Sequence, residues 1–501
     1  MAIAHTHTHK QGDPLSPLLF SLLIDRLEPY LKLHCPTIGA ELATLTLNLL
    51  LYADDLCLIA ESPRDLQTLL DNLHSFCRKN KLTVNPSKSV AVVFNPRSLR
   101  SPPPLHFNGK TIPYAPDFPY LGMLFDGRSN LREAWKRNSE KGAQASYQVA
   151  RQTNTMEMFN PHLRSNIFNS MALPLLTYGC AVWGPQSLFP KSSTYAAHTL
   201  DKTYTDFMKR TLGLGPTAPH AALKHELGYT RPSSRMLQQI LTFRDNMLLR
   251  PDNDLVKLAL IENIEMAKNK PRPIQCWSYH LQKIISRDTS SLPSSLSFPL
   301  AHLDPDLALL EREEKLDAAL NGAAAHLGLP HPNTPIHSLP DDAREGFKVL
   351  KYLRWCKPLT PAPNPHTQLR AGFLHHLHSK AHISAVARFR MFNLPLRSEC
   401  GRLSNLPRSQ RTCTLCNTNS VEDEHHLLTC PAYQHIRDRP YFSSLRNHWD
   451  LPDPATSSPD AIINHRFNPP AHLWRTFATL LNQCMSMRQD LLQILPPPHP
   501  T

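Results

Sequence analysis

Two adjacent carboxylates, Asp54 and Asp55, stand inside an apolar run at residues 49–58. The composition predicts a mostly buried strand over Leu45 to Tyr52 and a second strand over Leu56 to Ala60, with the two aspartates at a tight turn between them. Two like charges side by side are costly to bury unless a cation neutralises them. Carboxylate oxygens suit Mg²⁺, which combines one or two carboxylates with substrate phosphates. The alternative is a polar hairpin tip, because Asp is common in turns.

A second group of residues suited to chemistry lies near the C-terminus. Cys413, Cys416, His425 and Cys430 have the spacing C-x2-C-x8-H-x4-C. Four soft or borderline ligands with a CxxC pair predict a closed, tetrahedral Zn²⁺ site with a structural role. The alternative is a chance cluster of buried thiols. The chain has eleven cysteines, an odd number, and no secretory signal, which argues for a reducing compartment and against a disulfide framework.

The elements around the two aspartates can be read from local patterns. Gly12 permits a tight turn, Asp13 is a good N-cap and Pro14 suits a first helical position. The leucines at 15, 18, 19, 22, 23 and 27 repeat at helical spacing and predict one helix with a buried face. Residues 89–94 and 120–125 read as strands, and Gly122 could admit a close backbone neighbour.

Four motifs occur in a fixed order: QGDPLSPLLF at 11–20, YADD at 52–55, NPSK at 85–88 and YLG at 120–122. This order resembles the reverse transcriptases of non-long-terminal-repeat (LINE-type) retrotransposons. Residues 171–184 and 225–228 resemble the thumb of these proteins and the connector that follows it. The resemblance implies an α+β fold, in which a partial reverse-transcriptase palm is followed by a mainly α-helical thumb and a C-terminal region with a small zinc knuckle.

In such a knuckle, which residues 422–431 resemble, His425 holds the position of the family's histidine and His426 is its substitute.

In the family, a 3′-hydroxyl attacks an incoming deoxynucleotide held by two divalent ions. The resemblance implies that Asp54 is a Mg²⁺ ligand supported by Asp55. It also implies that Lys88 lies near the leaving pyrophosphate as a charge partner or proton donor. Lys88 could equally be an ordinary solvated lysine. The implied partners are an RNA template, a DNA primer or target, and nucleotides.

The same resemblance assigns binding roles to six other residues. Gln11 and Gly12 would line the path of the template and nucleotide. Tyr52 would pack near the primer end. Tyr120, Leu121 and Gly122 would grip the primer, although Tyr120 could be only a core aromatic.

The chain also departs from the family pattern. Family members carry a further catalytic aspartate on a palm strand upstream of the Gln-Gly-Asp-Pro loop, together with a fingers subdomain. Met1 to Lys10 contain no aspartate and are not expected to form a palm strand with its helix. A two-metal site without a bridging carboxylate should bind its ions poorly. The chain is therefore expected to be the C-terminal part of a longer protein and inactive as a polymerase.

The charge is unevenly distributed along the 501 residues, whose net charge is +13. Between Lys348 and Arg411 twelve Lys and Arg residues stand against the single acid Glu399. We call this stretch the basic block. Its interleaved aromatics predict a surface for RNA or DNA, and a solvated helix surface is the alternative.

No apolar run reaches transmembrane length. A family member must reach chromosomal DNA, which favours the nucleus.

The length suggests two to four domains. We divide the chain into a partial palm at 1–126, a helical thumb at 127–250, a helical connector at 251–340, the basic block with its zinc knuckle at 341–440, and a tail at 441–501 with a helix near 473–492.

Two functions follow, an RNA-directed DNA polymerase or a non-catalytic RNA- or DNA-binding remnant that acts through the basic block and zinc knuckle. A group II intron maturase or telomerase-like enzyme would share the palm but fits the later segments less well.

Overall fold

The computed structural model describes residues 3–5, 15–42, 45–85, 88–94, 102–127, 131–187, 196–227, 232–269, 276–281, 348, 351–356, 373–404, 406–450, 457 and 459–494. The chain divides into two compact units. The first comprises Met1–Asn138, Thr177–Ala197 and Met236–His302, and the second comprises Ser139–Leu176, His198–Arg235 and Leu303–Thr501.

The β-structure in the part of the chain that is described consists of five antiparallel pairs of short strands. The strands are β1 (Ile3–His5), β2 (Ala40–Leu42), β3 (Leu45–Leu47), β4 (Leu49–Tyr52), β5 (Asp55–Leu58), β6 (Leu82–Val84), β7 (Leu105–Phe107), β8 (Lys110–Ile112), β9 (Asp117–Tyr120) and β10 (Met123–Asp126). β1 pairs with β6, whereas the other pairs join consecutive strands. The short strand β1 was not expected from the sequence of the first ten residues.

Eleven helices lie in the described residues between Ser16 and Asn269. They are α1 (Ser16–Ile24), α2 (Leu27–His34), α3 (Pro63–Lys79), α4 (Arg132–Thr155), α5 (Pro161–Met171), α6 (Leu173–Thr177), α7 (Cys180–Ser187), α8 (Ala196–Thr211), α9 (His220–Leu227), α10 (Pro232–Leu248) and α11 (Leu255–Asn269). The prediction of helices over residues 127–250 is therefore confirmed for the described part of that range.

In the C-terminal part of the second unit, the structure describes a π-helical turn at Tyr352–Cys356. The α-helices that follow are α12 (Phe373–His376), α13 (Lys380–Arg390), α14 (Arg397–Leu403), α15 (Glu424–Thr429), α16 (Gln434–Arg437), α17 (Ser443–Trp449), α18 (Pro459–Phe467) and α19 (Trp474–Ile494). The 3₁₀ turns are Arg408–Gln410, Pro431–Tyr433, Pro440–Phe442 and Ala471–Leu473. Helix α19 confirms the helix predicted near residues 473–492. The acidic helix predicted over 307–320 lies outside the described residues.

Helix α3 organises the core of the first unit. It begins at the N-cap Ser62, whose Oγ accepts a hydrogen bond from Asp65 N at 3.2 Å and donates one to Asp65 Oδ2 at 2.7 Å. Its apolar face recurs at helical spacing and packs on α2, β6 and β7. The fully buried members of this core include Leu27, Leu31, Leu69, Leu73 and Phe76.

Local predictions at three places outside the YLG motif differ from the structure. The leucine-rich run after residue 14 forms two helices rather than one, and α1 leaves Leu15, Leu18, Leu19 and Leu22 exposed, so the predicted buried face begins only at Ile24. Residues 89–94 form no strand and contribute one isolated bridge, Ala91 to Tyr114. The single strand predicted over Leu45 to Tyr52 is interrupted at the buried Asn48.

Aromatic side chains from three helices form the core of the second unit around α19. Phe389 of α13, Phe467 of α18 and Phe477 of α19 are fully buried, and the ring centroids of Phe389 lie 4.4 Å and 5.3 Å from those of Phe467 and Phe477. Such tilted and edge-to-face contacts are favourable for aromatic rings. The C-terminal segment is thus part of a packed core.

None of the helices in the described part of the chain combines the length and apolar character needed to cross a membrane.

Candidate carboxylate hairpin and metal centre

The YADD motif forms a tight hairpin tip, as the sequence predicts. Tyr52 at the end of β4 pairs with Asp55 at the start of β5, and Ala53 and Asp54 make the two-residue turn. Ala53 has φ of 51°, a conformation that costs most L-residues about 1–2 kcal/mol. Tyr52, Asp54 and Asp55 are all exposed. The hairpin therefore presents two carboxylates to solvent rather than burying them.

The YLG motif is also a turn rather than part of a continuous strand. β9 and β10 pair from Tyr120–Met123 outward, and Leu121 and Gly122 form the connection with φ of 49° and 77°. Positive φ at both central residues is typical of the type I′ hairpin turn, which suits the twist of the strands. The prediction of one strand over 120–125 was wrong. Leu121, like Ala53, has a positive φ, which non-glycine residues seldom adopt and which the sequence did not indicate.

Tyr178 from the motif at 171–184 holds this turn. Its hydroxyl donates a hydrogen bond to the carbonyl of Leu121 at 2.7 Å, and its ring lies against Gly122. Its own carbonyl accepts hydrogen bonds from Asn138 Nδ2 and Trp183 Nε1, each at 2.8 Å. Two motifs that are distant in sequence thus form one structural feature of the first unit.

Gly122→Ala is expected to destabilise the first unit by about 2–3 kcal/mol, because the new methyl combines left-handed strain with crowding of a hydrogen-bonded ring. A Cβ at Gly122 would lie 3.1 Å from the Tyr178 ring. Gly109 offers a matched control, since its φ is 71° and a Cβ there meets nothing within 4 Å. Gly109→Ala should cost only about 1–2 kcal/mol. Urea unfolding of both variants measures the difference, and equal losses would contradict the role of Tyr178.

Tyr120 is the predicted binding residue that lies close to the carboxylate hairpin. Burial raises its pKa, and the neighbouring Cys57 and Asp55 raise it further. Tyr120 is half-buried, whereas Leu121 and Gly122 are exposed. Lys88 is exposed in the turn after β6, with its amide bonded to the carbonyl of Asn85 at 3.3 Å. Gln11 and Gly12 lie outside the described residues.

The described residues supply the hairpin with no third metal ligand. Within them, the one group of three or more carboxylate, imidazole or thiol side chains arranged for a metal ion lies elsewhere, at residues 413–430. Asp54 and Asp55 have the oxygen donors that Mg²⁺ prefers. They are, however, an incomplete set for two ions.

The second candidate site is a compact group of four ligands: Cys413, Cys416, His426 and Cys430, whose ligand atoms lie within 4.8 Å of one another. The Sγ atoms of Cys413 and Cys430 are 3.9 Å apart, and Sγ of Cys416 is 3.4 Å from Nε2 of His426. A tetrahedral zinc ion with ordinary bond lengths requires about 3.8 Å between sulfurs and about 3.6 Å between sulfur and nitrogen. The donor set and its spacing therefore fit Zn²⁺.

The histidine of this group is His426, which corrects the assignment of His425. α15 is capped by Asp423, whose Oδ1 accepts from His426 N at 3.0 Å. Successive residues of a helix are turned by about 100°, so the two histidines cannot face the same point. His426 and Cys430 are four residues apart and share a face. That spacing was a signal in the sequence. Burial lowers the pKa of His425, and the charges of Arg466 and Lys351 lower it further.

Backbone and side-chain contacts orient the ligands. The amide of Leu415 donates to Cys413 Sγ at 3.4 Å, and Arg437 Nη2 donates to the carbonyl of Cys430 at 2.8 Å. Burial raises the pKa of the Cys430 thiol to about 12. Burial is also the largest single influence on Cys416 and raises its pKa, but the hydrogen bonds from Thr418, Cys430 and Cys413 together outweigh it, so the pKa of Cys416 is lowered. A bound cation would replace these thiol protons.

The basic block supplies cations to buried ion pairs more than to a surface. The structure describes the side chains of nine of its twelve cations, and five of these nine contact carboxylates. The pairs are Lys348–Glu399, Lys351–Asp423, Arg390–Glu226, Arg402–Glu399 and Arg408–Asp423. Two of the three acids in these pairs, Asp423 and Glu226, lie outside the block in sequence. Lys380 and Arg388 of α13 are exposed.

Comparison with known proteins is consistent with this geometry. Residues 3–125 match the family described as reverse transcriptase (RNA-dependent DNA polymerase). The chain is 43% identical over 83 residues to the retrovirus-related Pol polyprotein from type-2 retrotransposable element R2DM of Drosophila melanogaster, covering 17% of this chain and 8% of that protein. It is 29% identical over 184 residues to the corresponding polyprotein from type-1 element R2 of Popillia japonica, covering 34% and 28%.

A third relative is the probable RNA-directed DNA polymerase from transposon BS of Drosophila melanogaster, 26% identical over 182 residues, covering 35% of this chain and 19% of that protein. The matched regions span less than a third of the length of each of these three relatives. The order of motifs, the carboxylate hairpin and these matches agree. Residues 3–125 form a reverse transcriptase domain of the kind found in non-long-terminal-repeat retrotransposons.

Proposed function

We propose that this chain carries the carboxylate hairpin of an RNA-directed DNA polymerase of the retrotransposon type. The observation that supports this most strongly is the presentation of Asp54 and Asp55 on a two-residue turn within the segment that matches reverse transcriptases. Divalent ions, when bound, supply charge stabilisation to the attacking and leaving oxygens. The chain's own contribution is to hold the two carboxylates exposed and fixed by strand pairing.

The neighbouring residues suit the same role. Tyr120 lies beside Asp55. The Leu121–Gly122 turn is fixed by the Tyr178 hydroxyl, which donates a hydrogen bond to the carbonyl of Leu121. We propose that Tyr52 and this turn contact the primer, and that Lys88, Gln11 and Gly12 contribute to the nucleotide and template path. The partners are then an RNA template, a DNA primer and deoxynucleotides.

The second part of the proposal is a structural zinc ion bound by Cys413, Cys416, His426 and Cys430. Four ligands close a tetrahedral site and leave no open position for substrate. Such an ion contributes folding free energy to the segment that carries its ligands.

Nucleic-acid binding without catalysis is the second candidate function. It is favoured by the incomplete donor set at the hairpin in the part of the chain that the structure describes. The exposed cations Lys380 and Arg388 of α13 would contribute to binding of a phosphate backbone.

Primer extension on an RNA template with Mg²⁺ tests the proposal. Because two carboxylates hold two ions poorly, we expect the chain to incorporate nucleotides no faster than Asp54→Ala, while both retain the primer–template in a salt-sensitive manner. Asp71→Ala, which removes an exposed carboxylate on α3, is the matched control. Extension by the parent and by Asp71→Ala, but not by Asp54→Ala, would show that the hairpin suffices for catalysis. It would contradict the conclusion that its set of metal ligands is incomplete. Failure to retain the primer–template would contradict both candidate functions.

A further inference from the structure

A continuous path of buried polar contacts runs from the four-ligand group to helix α9 within the second unit. It begins at α15, which carries the ligand His426. Asp423 caps this helix through the amide of His426, and Glu424 is its first residue. Both carboxylates are buried. Any movement of His426 therefore moves two buried charges with it.

Those two charges meet Lys351, which is itself buried. Lys351 Nζ lies 3.4 Å from Asp423 Oδ2 and 3.8 Å from Glu424 Oε2. It also lies over the rings of Trp355 and Phe392, at 4.8 Å and 5.1 Å from their centroids. Electrostatic attraction and cation–π contact thus fix the position of Lys351, from which the π-helical turn continues.

The π-helical turn is in turn hydrogen-bonded to Arg390. The carbonyl of Cys356, its last residue, accepts from Arg390 Nη2 at 2.7 Å. The same guanidinium donates to Glu226 Oε1 of α9 through Nε at 2.9 Å and Nη2 at 2.7 Å. The side chains of Arg390 and Glu226 are 4% and 1% exposed. A pair so deeply buried depends on every neighbour that satisfies it.

A parallel set of contacts holds the loop before α9, residues 213–217. Arg388 Nε donates to the carbonyl of Gly213 at 2.6 Å, Lys209 Nζ to that of Pro216 at 2.7 Å, and Lys348 Nζ to that of Thr217 at 3.3 Å. Lys348 also pairs with Glu399 at 2.7 Å. Cations of the basic block thus fix both the loop and the helix that follows it.

We propose that metal occupancy of the four-ligand group controls the order of α9. The inference rests on the zinc binding proposed above. Without the ion, His426 no longer fixes the position of α15. The carboxylates of Asp423 and Glu424, which hold Lys351, are then free to move. The π-helical turn then releases Arg390, and Glu226 is left buried without its cation. α9 opens as a result. The basic block therefore connects a metal centre to the segment that resembles the thumb connector.

Hydrogen exchange of the full chain, with zinc content measured in parallel, tests this control. The comparison uses the zinc-loaded protein, the protein stripped by a chelator, and the His425→Ala and His426→Ala variants. We expect exchange in peptides covering α9 to accelerate by about 100-fold in the stripped protein and in His426→Ala. His425→Ala should behave as the parent. Helix α3, in the first unit, should be unaffected.

Helix α5 provides the control within the second unit, because the path of contacts does not include it. Equal acceleration in α5 and α9 would show that the unit melts as a whole and would overturn the proposal. So would unchanged exchange in α9 while residues 413–430 exchange freely. A purified chain that binds no zinc would refute the metal assignment itself, and with it the inference.

Glu226→Gln distinguishes this path from a general effect of zinc. The variant should keep its zinc, because Glu226 lies at the far end of the path. Exchange in α9 should already be fast in the loaded variant, and the effect of zinc removal should shrink from about 100-fold to less than about tenfold. An undiminished effect of zinc would overturn the role of the Arg390–Glu226 contact.

Discussion

His426→Ala is expected to weaken zinc binding by more than about 100-fold, since loss of even an outer partner of a ligand costs about 10–100-fold. The physical reason is the placement of His426 Nε2 at 3.4 Å from Cys416 Sγ, on the same helical face as Cys430. Because structural zinc contributes folding free energy directly, the variant should also unfold residues 411–430 locally. Competition with a chromophoric chelator measures the affinity, and proteolysis of this segment measures the unfolding.

His425→Ala is the control for this prediction, because it removes an adjacent imidazole from the same short helix. It should bind zinc as the parent does and resist proteolysis equally. Cys413→Ser should behave as His426→Ala. Loss of zinc in His425→Ala with retention in His426→Ala would contradict the geometry described above.

Arg390→Met is expected to destabilise the second unit by about 3–5 kcal/mol, because it leaves the carboxylate of Glu226 buried without its cation. Three further acceptors, the carbonyls of Cys356 and Phe467 and Oδ1 of Asn468, lose their donor as well. Removing both charges in Arg390→Met/Glu226→Leu should recover much of the loss, since a buried pair is often replaceable by apolar residues at little cost. Chemical unfolding monitored in the second unit measures all three proteins.

Lys32→Met provides the comparison for an exposed ion pair. Lys32 Nζ lies 2.6 Å from Glu28 Oε1 on α2, but the two side chains are 62% and 52% exposed. Removing this pair should cost no more than about 0.5 kcal/mol. Similar decreases in the free energy of unfolding in Lys32→Met and Arg390→Met would show that burial does not determine how much the Arg390–Glu226 pair contributes to stability.

Features encoded locally could be predicted from the sequence. The two-residue turn that carries Asp54 follows from two short apolar strands on either side of a polar pair. The CxxC pair and Cys430 belong to the four-ligand group because their spacing is that of a zinc site. The long C-terminal helix follows from apolar periodicity. In each case the determining residues lie within about one helix or hairpin of one another.

Features that depend on distant residues could not be predicted in this way. The pairing of Arg390 with Glu226 joins residues 164 positions apart, so a count of charges within the basic block suggested an exposed cationic surface. The choice between His425 and His426 is a different case, because the cap at Asp423 and the spacing of His426 to Cys430 are local. The turn at Leu121 is held by a hydrogen bond from Tyr178, which lies 57 residues further along the chain.

The loop at residues 213–217 has a consequence for tolerance to mutation. Its anchors are main-chain carbonyls, which every amino acid provides, and the donors are the side chains of Arg388, Lys209 and Lys348. In a saturation library, substitutions at the exposed Pro216 leave its carbonyl acceptor in place, whereas loss of a donor leaves a carbonyl without its partner. The loop's own sequence is nevertheless constrained at Gly213, which has φ of 66° with Ser384 against it, and at Thr217, whose hydroxyl donates to Glu399 Oε1. Tolerance to mutation within the loop should therefore be greatest at the exposed Pro216.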